Sequence, residues 1–489
     1  MLRLNITHLP YLDAASLFEL VADEPWAIFL DSGCKPLSRA ESSRYDVLAI
    51  SPRATLVYDG ESTTYNDSAS ERTLLGDPLG ILQSAIPQCE QPPRDTYLPG
   101  AYGYLSYDLA RSYENLPVLA VDDEQLPPMA MGIYHVVLVV DHKRRKSRVI
   151  RMGSSEFAKD IEQRWLDLVL VYQEKLVAEE MSQIDSFADG TSSANGSVCD
   201  STLEAGIISE SFNWSKYQQA FDRVRKYTEA GDCYQVNLTK QFAAEVSGDS
   251  WSAYKCLRQA SPAPYGCFMN LPFAQVLSNS PESFIKCQGR DVVTSPIKGT
   301  RPRNHDNPIE DKAIARSLFE SVKDRSENLM IVDLMRNDLS KTCELGSVKV
   351  PKLFELHSFS NVHHLVSRIT GTLRAELHSI DLLRSCFPGG SITGAPKIRS
   401  MEIIEELEPH RRGLYCGSIG YIGANGDLET NIAIRTIVIK DGIARFSAGG
   451  GLVIDSLVED EYQELNHKVS MLMSAVKGSD SISEKSNGV

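Results

Sequence analysis

Apolar runs in the first part of the chain predict strands followed by a long helix. Residues 25–30 and 132–140 are short, nearly continuous apolar segments, as is typical of buried strands. Residues 157–179 instead repeat their apolar positions at the three-to-four-residue spacing of an amphipathic helix. We therefore expect an N-terminal region of mixed strands and helices over residues 1–180.

The second half of the chain carries denser signals. Asn213 is suited to cap a helix that ends near Gly231. Further helices are predicted at 310–339 (one or two), 396–407 and 459–475, and strands at 415–423, 431–440 and 443–447. Strands and helices mix without the regular alternation of a doubly wound fold, so the pattern favours the α+β class.

Two segments have the composition of unstructured chain. Residues 181–205 are rich in Ser, Asp, Gly and Ala and poor in large apolar residues, which predicts a flexible linker or insertion over 181–212. The end of the chain has a similar composition, so 478–489 is predicted to be a disordered tail. The stretch 213–477 is then a second domain.

Composition narrows the function classes. Among 489 residues, acidic residues outnumber basic ones by 65 to 50, giving a formal charge of −15, which argues against broad binding to nucleic acid or an anionic membrane. No CxxC pair occurs among the ten cysteines, so a zinc or redox site has little support. The sequence shows no signal-peptide pattern and no apolar run long enough to span a membrane, so a cytoplasmic location is expected.

Two carboxylate pairs are candidates for a metal site. Asp324 and Glu327 are three residues apart in one predicted helix, and Glu461 and Glu464 in another, so each pair shares a helix face. Four facing carboxylates would repel unless a cation lay between them, and Mg²⁺ commonly takes one or two carboxylates with substrate and water. The alternative is two solvated acidic faces.

Other residues suggest a site for an anionic ligand. The glycine-rich segment 387–397 precedes a predicted helix and could offer N–H groups to an anion, and 448–451 would let the backbone approach a ligand closely. Arg435 lies in an otherwise apolar predicted strand, where a ligand carboxylate could satisfy it. Tight turns and an internal ion pair are the alternatives. His364 and Lys298 are, on the same reasoning, a core histidine and a solvated loop lysine unless they serve catalysis.

Taken together and in order, these motifs resemble the chorismate-binding enzymes. That family includes the anthranilate synthase large subunit, aminodeoxychorismate synthase, isochorismate synthase and salicylate synthase. The matching segments are GDCYQVNLT (231–239), SNSPESF (278–284), PIKGTRPR (296–303), DRSENLMIVDLMRNDL (324–339), SNVHHLVS (360–367), FPGGSITGAPK (387–397), RRGLYCGSIGYIG (411–423), ETNIAIRT (429–436), AGGGLVIDS (448–456) and EDEYQE (459–464).

The resemblance implies a fold and a cofactor. The fold would be α+β and similar to anthranilate synthase component I, with large mixed β-sheets in a sandwich-like arrangement flanked by helices, and 213–477 would be the chorismate-binding catalytic domain. Mg²⁺ would be held by Glu327 and Glu464, with Asp324 and Glu461 as neighbours that bind through water. The metal would grip the ring carboxylate of chorismate.

The resemblance also implies roles for residues around the substrate. Glu282 matches a proton-transfer group near the incoming amine. His364 matches the histidine beside the C4 hydroxyl, where a proton donor helps that group leave. Substrate contacts are matched to Gly299, Thr300, Ser391, Tyr415, Arg435, Gly449 and Gly451.

Lys298 distinguishes between the activities of the family. Anthranilate synthases typically have alanine in the PIAGT segment, whereas lysine, as in PIKGT here, is typical of aminodeoxychorismate synthases. Attack by Lys298 at C2 would expel the C4 hydroxyl and form an adduct, and ammonia would then add at C4 and release the lysine. The product, 4-amino-4-deoxychorismate, leads through a lyase to 4-aminobenzoate and folate.

Partners and alternatives follow from the same resemblance. No glutaminase motif occurs in the sequence, so ammonia is expected from a separate glutamine amidotransferase subunit in a heterodimer. Ser32, Pro264 and Tyr265 resemble pieces of the tryptophan site of anthranilate synthases, which makes a tryptophan pocket a further hypothesis. The competing activities are anthranilate synthase, isochorismate or salicylate synthase, and a non-enzymatic binding protein.

Overall fold

The computed structural model describes residues 2–33, 44–67, 69–89, 96–188, 203–359 and 362–477. Of the predicted linker, residues 189–202 lie outside the described residues, as does the whole predicted tail at 478–489. The long helix predicted at 157–179 continues to Ala188, inside the predicted linker.

Strands and helices alternate irregularly along the chain. The strands are β1 (Leu4–Leu9), β2 (Ala27–Asp31), β3 (Tyr45–Ala49), β4 (Ala54–Tyr58), β5 (Ser62–Asp67), β6 (Glu71–Leu75), β7 (Gly100–Leu105), β8 (Met129–Tyr134), β9 (Val136–Asp141), β10 (Lys146–Met152), β11 (Glu204–Ala205), β12 (Ser209–Glu210), β13 (Gln235–Ser247), β14 (Tyr265–Leu271), β15 (Ala274–Ser280), β16 (Ser283–Gln288), β17 (Asp291–Thr294), β18 (Ile297–Pro302), β19 (Lys349–Ser358), β20 (Val362–Thr372), β21 (Gly394–Ala395), β22 (Ser418–Gly423), β23 (Leu428–Asn431), β24 (Thr436–Lys440) and β25 (Ile443–Leu452). The α-helices are α1 (Ala14–Phe18), α2 (Pro78–Ala85), α3 (Glu156–Ala188), α4 (Trp214–Ala230), α5 (Ser250–Ala260), α6 (Pro308–Glu320), α7 (Val322–Ser340), α8 (Ser379–Cys386), α9 (Lys397–Leu407) and α10 (Val458–Lys477).

The strands form two large sheets. The first has the order β1-β10-β9-β3-β2-β14-β15-β24-β25-β13-β11, with β12 and β21 also pairing with β13. The second has the order β18-β20-β17-β16-β23-β22-β7-β8-β4-β5-β6, with β19 on β20. The predicted α+β class with large sheets is confirmed. The pairings that join the named strands are antiparallel, where mixed sheets were expected.

Both sheets combine strands from the two ends of the chain. In the first sheet, β2 pairs with β14, so Phe29 lies opposite Phe268. In the second, β7 pairs with β22, so Tyr102 lies opposite Tyr421. Residues 1–180 and 213–477 therefore share continuous hydrogen-bonded sheets in the structure, and the division into two domains stays a prediction.

Successive side chains of the central strands point to opposite faces of the sheet and so contribute to two layers of the core. Along β2, Ile28 belongs to the apolar cluster that joins the facing sides of the sheets, whereas Ala27 and Phe29 belong to the cluster beneath the helices of the first sheet. Successive side chains of a strand point to opposite faces, so a strand buried on both faces is apolar throughout. This explains why residues 25–30 form a continuous apolar run.

Helix boundaries largely follow the sequence signals. Asn213 caps α4, its side chain accepting a hydrogen bond from the Lys216 N–H, and the helix ends at Gly231 with φ 81°. The helical stretch predicted at 310–339 is divided between α6 and α7 at Ser321, whose side chain caps α7. No helix in the described ranges is both long and apolar enough to cross a membrane.

The single strand predicted over 431–440 is wrong. β23 ends at Asn431 in the second sheet and β24 begins at Thr436 in the first, so the chain crosses between the sheets here. Arg435 is therefore not inside a strand. It lies at the crossing with φ 52°, in the left-handed region that non-glycine residues rarely adopt.

Candidate active site

A cavity of about 180 Å³ opens where elements of both sheets meet α7 and α10. Strands β18 and β25, helices α7 and α10, and the loops around residues 282, 391, 415 and 435 all contribute to its wall. Every residue proposed from the sequence for catalysis, substrate binding or metal binding lines it: Glu282, Lys298, Gly299, Thr300, Asp324, Glu327, His364, Ser391, Tyr415, Arg435, Gly449, Gly451, Glu461 and Glu464. Residues up to 182 positions apart in the chain thus share one small space.

Lys298 projects from β18 toward the turn at Gly390–Ile392. Its Nζ donates a hydrogen bond to the Ser391 carbonyl at 3.2 Å. Burial raises the pKa of the nearby Glu282 carboxyl, and the Ser391 hydroxyl and the Lys298 charge only partly oppose that rise. A lysine and a carboxyl group with a raised pKa therefore face the same cavity, an arrangement suited to exchanging a proton.

His364 is buried as a neutral imidazole. It lies on β20 opposite Thr300 of β18, and its Nδ1 shares a hydrogen bond with the Thr300 hydroxyl at 2.9 Å. Burial, together with the positive charge of Arg435, lowers the pKa of His364 to about 3. At neutral pH His364 can therefore donate or accept a hydrogen bond as a neutral imidazole.

Arg435 presents an unsatisfied cation to the cavity. Its side chain has no hydrogen bond or ion pair with any described residue, and burial lowers its pKa to about 10. Leaving a half-buried guanidinium without a hydrogen-bonding partner costs free energy, unless a ligand supplies the partner. Because a carboxylate can meet its planar fork with two hydrogen bonds, a carboxylate ligand fits best.

The four candidate metal-binding carboxylates differ in their partners. Asp324 accepts a hydrogen bond from Arg301 at 2.9 Å, and Glu461 from Lys323 at 2.9 Å. Glu464 pairs with Lys468 at 2.7 Å. Each of these three carboxylates thus faces a cation within the protein.

Glu327 is the exception among the four carboxylates. It has no partner within the described ranges, and burial raises its pKa to about 7 despite the charges of Lys298 and Lys323. Burial also tends to raise the pKa of Glu464. That effect is outweighed by the positive charges of Lys468, Lys323 and Lys298, so the pKa of Glu464 lies below its usual value.

This donor set fits a hard divalent cation in its chemistry. All four side chains offer carboxylate oxygen to the cavity, and Glu327 in particular has no hydrogen bond or ion pair with any described residue. Within the described residues, no three His, Cys, Asp or Glu side chains are already gathered as a metal cluster. Mg²⁺ does not require that, because it often takes one or two protein carboxylates and completes its shell with substrate and water.

Two glycines allow close approach in the cavity wall. Gly299 has φ 77°, and a Cβ there would come within 2.8 Å of Leu318 and 2.9 Å of the Asp324 carboxylate. A Cβ on Gly449 would lie 2.2 Å from the Leu238 carbonyl. Both positions therefore require glycine for packing.

The sequence-based search missed several charged residues of the site. Arg301, Lys323 and Lys468 line the cavity and pair with the candidate metal ligands. The sequence could have identified two of them as candidate site residues, because Lys323 adjoins Asp324 and Lys468 follows Glu464 by one helical turn. Arg412 lies outside the cavity wall but donates to the Ile392 carbonyl at 2.7 Å, which supports the turn that Lys298 contacts.

The family model for chorismate binding enzymes matches residues 28–474. The chain belongs to the chorismate-binding enzyme family. Aminodeoxychorismate synthase component 1 of Escherichia coli (strain K12) is 42% identical over 468 residues, covering 94% of this chain and 96% of the relative. Anthranilate synthase component 1 of Geobacillus stearothermophilus is 34% identical over 488 residues, covering 97% and 91%.

A solved structure of the same family agrees with the fold. The crystal structure of anthranilate synthase component I from Streptococcus pneumoniae TIGR4 has a TM-score of 0.72 and 30% identity, covering 96% of this chain and 99% of the other. The fold predicted from the family resemblance is thereby confirmed.

A second, smaller pocket of about 40 Å³ lies between the two sheets of this family member. Pro264 and Tyr265 line it beside Asp31 and Glu429, but Ser32 does not. Ser32 instead donates its hydroxyl to the Asp46 carboxylate at 2.7 Å. Tryptophan binding here stays a prediction, and isothermal titration that detects no uptake of tryptophan would rule it out.

Proposed function

We propose that this chain is the chorismate-aminating component of an aminodeoxychorismate synthase, a transferase that replaces the C4 hydroxyl of chorismate with an amino group. The observation that carries the proposal is the position of Lys298. It reaches the cavity shared by all the candidate site residues, where the family resemblance places alanine in anthranilate synthases. The similarity to aminodeoxychorismate synthase component 1 of Escherichia coli supports the same activity.

The two carboxylates of chorismate have natural partners in the cavity. Arg435 lacks a counter-ion and would take one of them through a two-point contact. The backbone at Gly449 and Gly451 lines the same wall and allows close approach by the ligand. Glu327 and Glu464 would hold Mg²⁺, with Asp324 and Glu461 nearby. When bound, Mg²⁺ would supply positive charge for the ring carboxylate.

Lys298 must lose a proton before it can attack carbon. Glu282 is the nearby carboxyl group that can accept this proton, because burial already raises its pKa. The neutral Nζ then forms a bond to C2, the two ring double bonds shift, and the C4–O bond breaks. The departing hydroxide takes up the proton that Glu282 accepted from Lys298 and leaves as water, and neutral His364 would hydrogen-bond to it.

Ammonia completes the exchange. Its lone pair forms a bond to C4, the double bonds shift back, and the bond between C2 and Lys298 breaks. The proton that ammonia gives up returns to the released lysine, directly or through Glu282, so that the lysine is regenerated. A separate glutamine amidotransferase subunit would supply the ammonia, which agrees with the designation component 1 of the relatives. A lyase acting later would release pyruvate to give 4-aminobenzoate for folate synthesis.

An assay with chorismate, Mg²⁺ and ammonium salt tests the proposed activity. We expect a product that keeps the enolpyruvyl group, has gained one amino group in place of one hydroxyl, and forms without release of pyruvate. Anthranilate with stoichiometric pyruvate would identify an anthranilate synthase. Isochorismate or salicylate, formed whether or not ammonium is present, would identify a water-using relative.

Arg435→Lys should bind chorismate poorly although it keeps the positive charge. Lysine cannot reproduce the planar two-point contact, so we expect KM for chorismate to rise by about 10- to 100-fold. Steady-state kinetics with saturating ammonium would measure this change. Arg374→Lys, at a half-buried arginine of the loop beyond β20, is the control, and unchanged kinetics for Arg435→Lys would show that Arg435 does not hold the substrate.

A further inference from the structure

Two carboxamide side chains face the same way on β13. Alternate side chains of a strand share a face, and Val236 and Leu238 pack in the apolar cluster beneath the helices. Gln235 and Asn237 therefore point to the opposite side of the strand. Asn237 lines the large cavity, and Gln235 lies against Gly451, where an added Cβ would come within 2.4 Å of its Nε2.

Neither carboxamide has a partner. Only 6% of Asn237 is exposed, and its side chain makes no hydrogen bond with any described residue. Gln235 is fully buried, and both its Oε1 and its Nε2 lack partners across the described ranges. Buried amide groups in proteins are nearly always hydrogen-bonded, because leaving them unpaired after desolvation costs free energy. Gln235 is such a group, and Asn237 on the same face of β13 presents an unpaired amide to the cavity, which together indicate a place for a ligand group there.

The backbone fixes Asn237 close to the reactive lysine. Its N–H donates to the Thr393 carbonyl at 2.9 Å, and its own carbonyl accepts from Arg412 at 2.6 Å. Thr393 directly follows the turn whose Ser391 carbonyl accepts from Lys298. The amide of Asn237 is thus held beside the part of the cavity where the proposed bond changes occur.

The chemistry of a carboxamide limits what it can bind. It carries no charge and offers both an acceptor oxygen and two N–H donors. The anionic groups of a ligand have better partners in Arg435 and in the metal-binding carboxylates with their cation. We propose that Asn237, with Gln235 behind it, forms a subsite for a neutral group that both donates and accepts hydrogen bonds. This proposal rests on the proposed function and adds a specificity residue to it.

Two groups in the proposed reaction have that chemistry, namely the incoming ammonia and the ring hydroxyl at C4. Asn237→Leu keeps a side chain of similar size but cannot form hydrogen bonds, so its effects can show whether the subsite binds ammonia or the hydroxyl. The dissociation constant for chorismate with Mg²⁺, measured by calorimetry without ammonia, reports the hydroxyl. The KM for ammonium at saturating chorismate reports the ammonia. Gln241→Leu is the matched control, because Gln241 lies on the same face of β13 but does not line the cavity.

We expect one of the two constants to rise by about 10- to 100-fold, as for a lost hydrogen bond in a buried site, while the other stays within about twofold. A rise in KM for ammonium assigns the subsite to ammonia, and a rise in the dissociation constant assigns it to the hydroxyl. If both constants stay unchanged in a variant with the melting temperature of the wild type, the proposal is wrong. Asn237→Ser serves the same test if the leucine variant does not fold. Failure of the wild-type chain to aminate chorismate would instead refute the proposed function, whatever Asn237 does.

Discussion

Replacing Lys298 by alanine is expected to slow formation of 4-amino-4-deoxychorismate by about 1,000-fold, because the nucleophile that divides the displacement into two steps is lost. Direct attack of ammonia at C4 would require a different geometry. The space vacated by the side chain is expected to admit ammonia at C2, giving some C2-aminated product. Product analysis by liquid chromatography and mass spectrometry measures both effects.

Two further variants distinguish the nucleophilic role of Lys298 from the effect of its positive charge. Lys298→Arg keeps a cation in the cavity but cannot attack carbon, since a guanidinium stays protonated. It should be nearly as inactive as the alanine variant. Lys312→Ala changes an exposed lysine of α6 and should retain full activity. In the wild type without ammonia, a peptide containing Lys298 should gain the mass of the chorismate adduct and lose it when ammonium is added. Wild-type rates for Lys298→Ala would disprove the covalent mechanism.

Glu327→Gln is expected to weaken Mg²⁺ binding and to lower kcat/KM by about 100-fold or more, because an anionic oxygen ligand becomes a neutral one. The substitution nearly preserves side-chain shape. It also removes a half-buried carboxylate that has no hydrogen bond or ion pair with any described residue, so the fold should not lose stability. Titration with Mg²⁺ by calorimetry, and thermal unfolding without metal, measure the two properties separately.

Glu464→Gln should likewise weaken Mg²⁺ binding and lower kcat/KM, although it also breaks the ion pair with Lys468. Glu320→Gln, at an exposed carboxylate that ends α6, controls for the loss of one negative charge. Full activity of the wild type in excess EDTA would show that no divalent cation is needed, and equal Mg²⁺ affinity in Glu327→Gln would exclude Glu327 as a ligand.

Local sequence signals predicted many of the elements that position the site. The cap at Asn213 and the helices later found as α7, α9 and α10 were predictable because capping residues and helical periodicity act over a few positions. The candidate site residues came from motifs whose order resembles a known family, and the structure brings them into one cavity. Their individual roles stay predictions.

Long-range strand pairing was not predictable in the same way. β2 and β14 are separated by more than two hundred positions, and nothing in either strand identifies its partner. For the same reason, residues 431–440 resembled one strand, although the chain changes sheets between Asn431 and Thr436. That crossing is what turns Arg435 into the cavity. The sequence also could not predict that the Asn237 carboxamide lacks a hydrogen-bonding partner, because this depends on which residues surround it in the folded chain.

The position of the new nitrogen distinguishes amination of chorismate at C4 from amination at C2. Wild-type protein is incubated with chorismate, Mg²⁺ and ¹⁵N-labelled ammonium, and the labelled product is examined by NMR before any lyase is added. We expect a ¹⁵N label coupled to the proton on C4, with the enolpyruvyl group intact. A label on C2, or an unlabelled product, would contradict it.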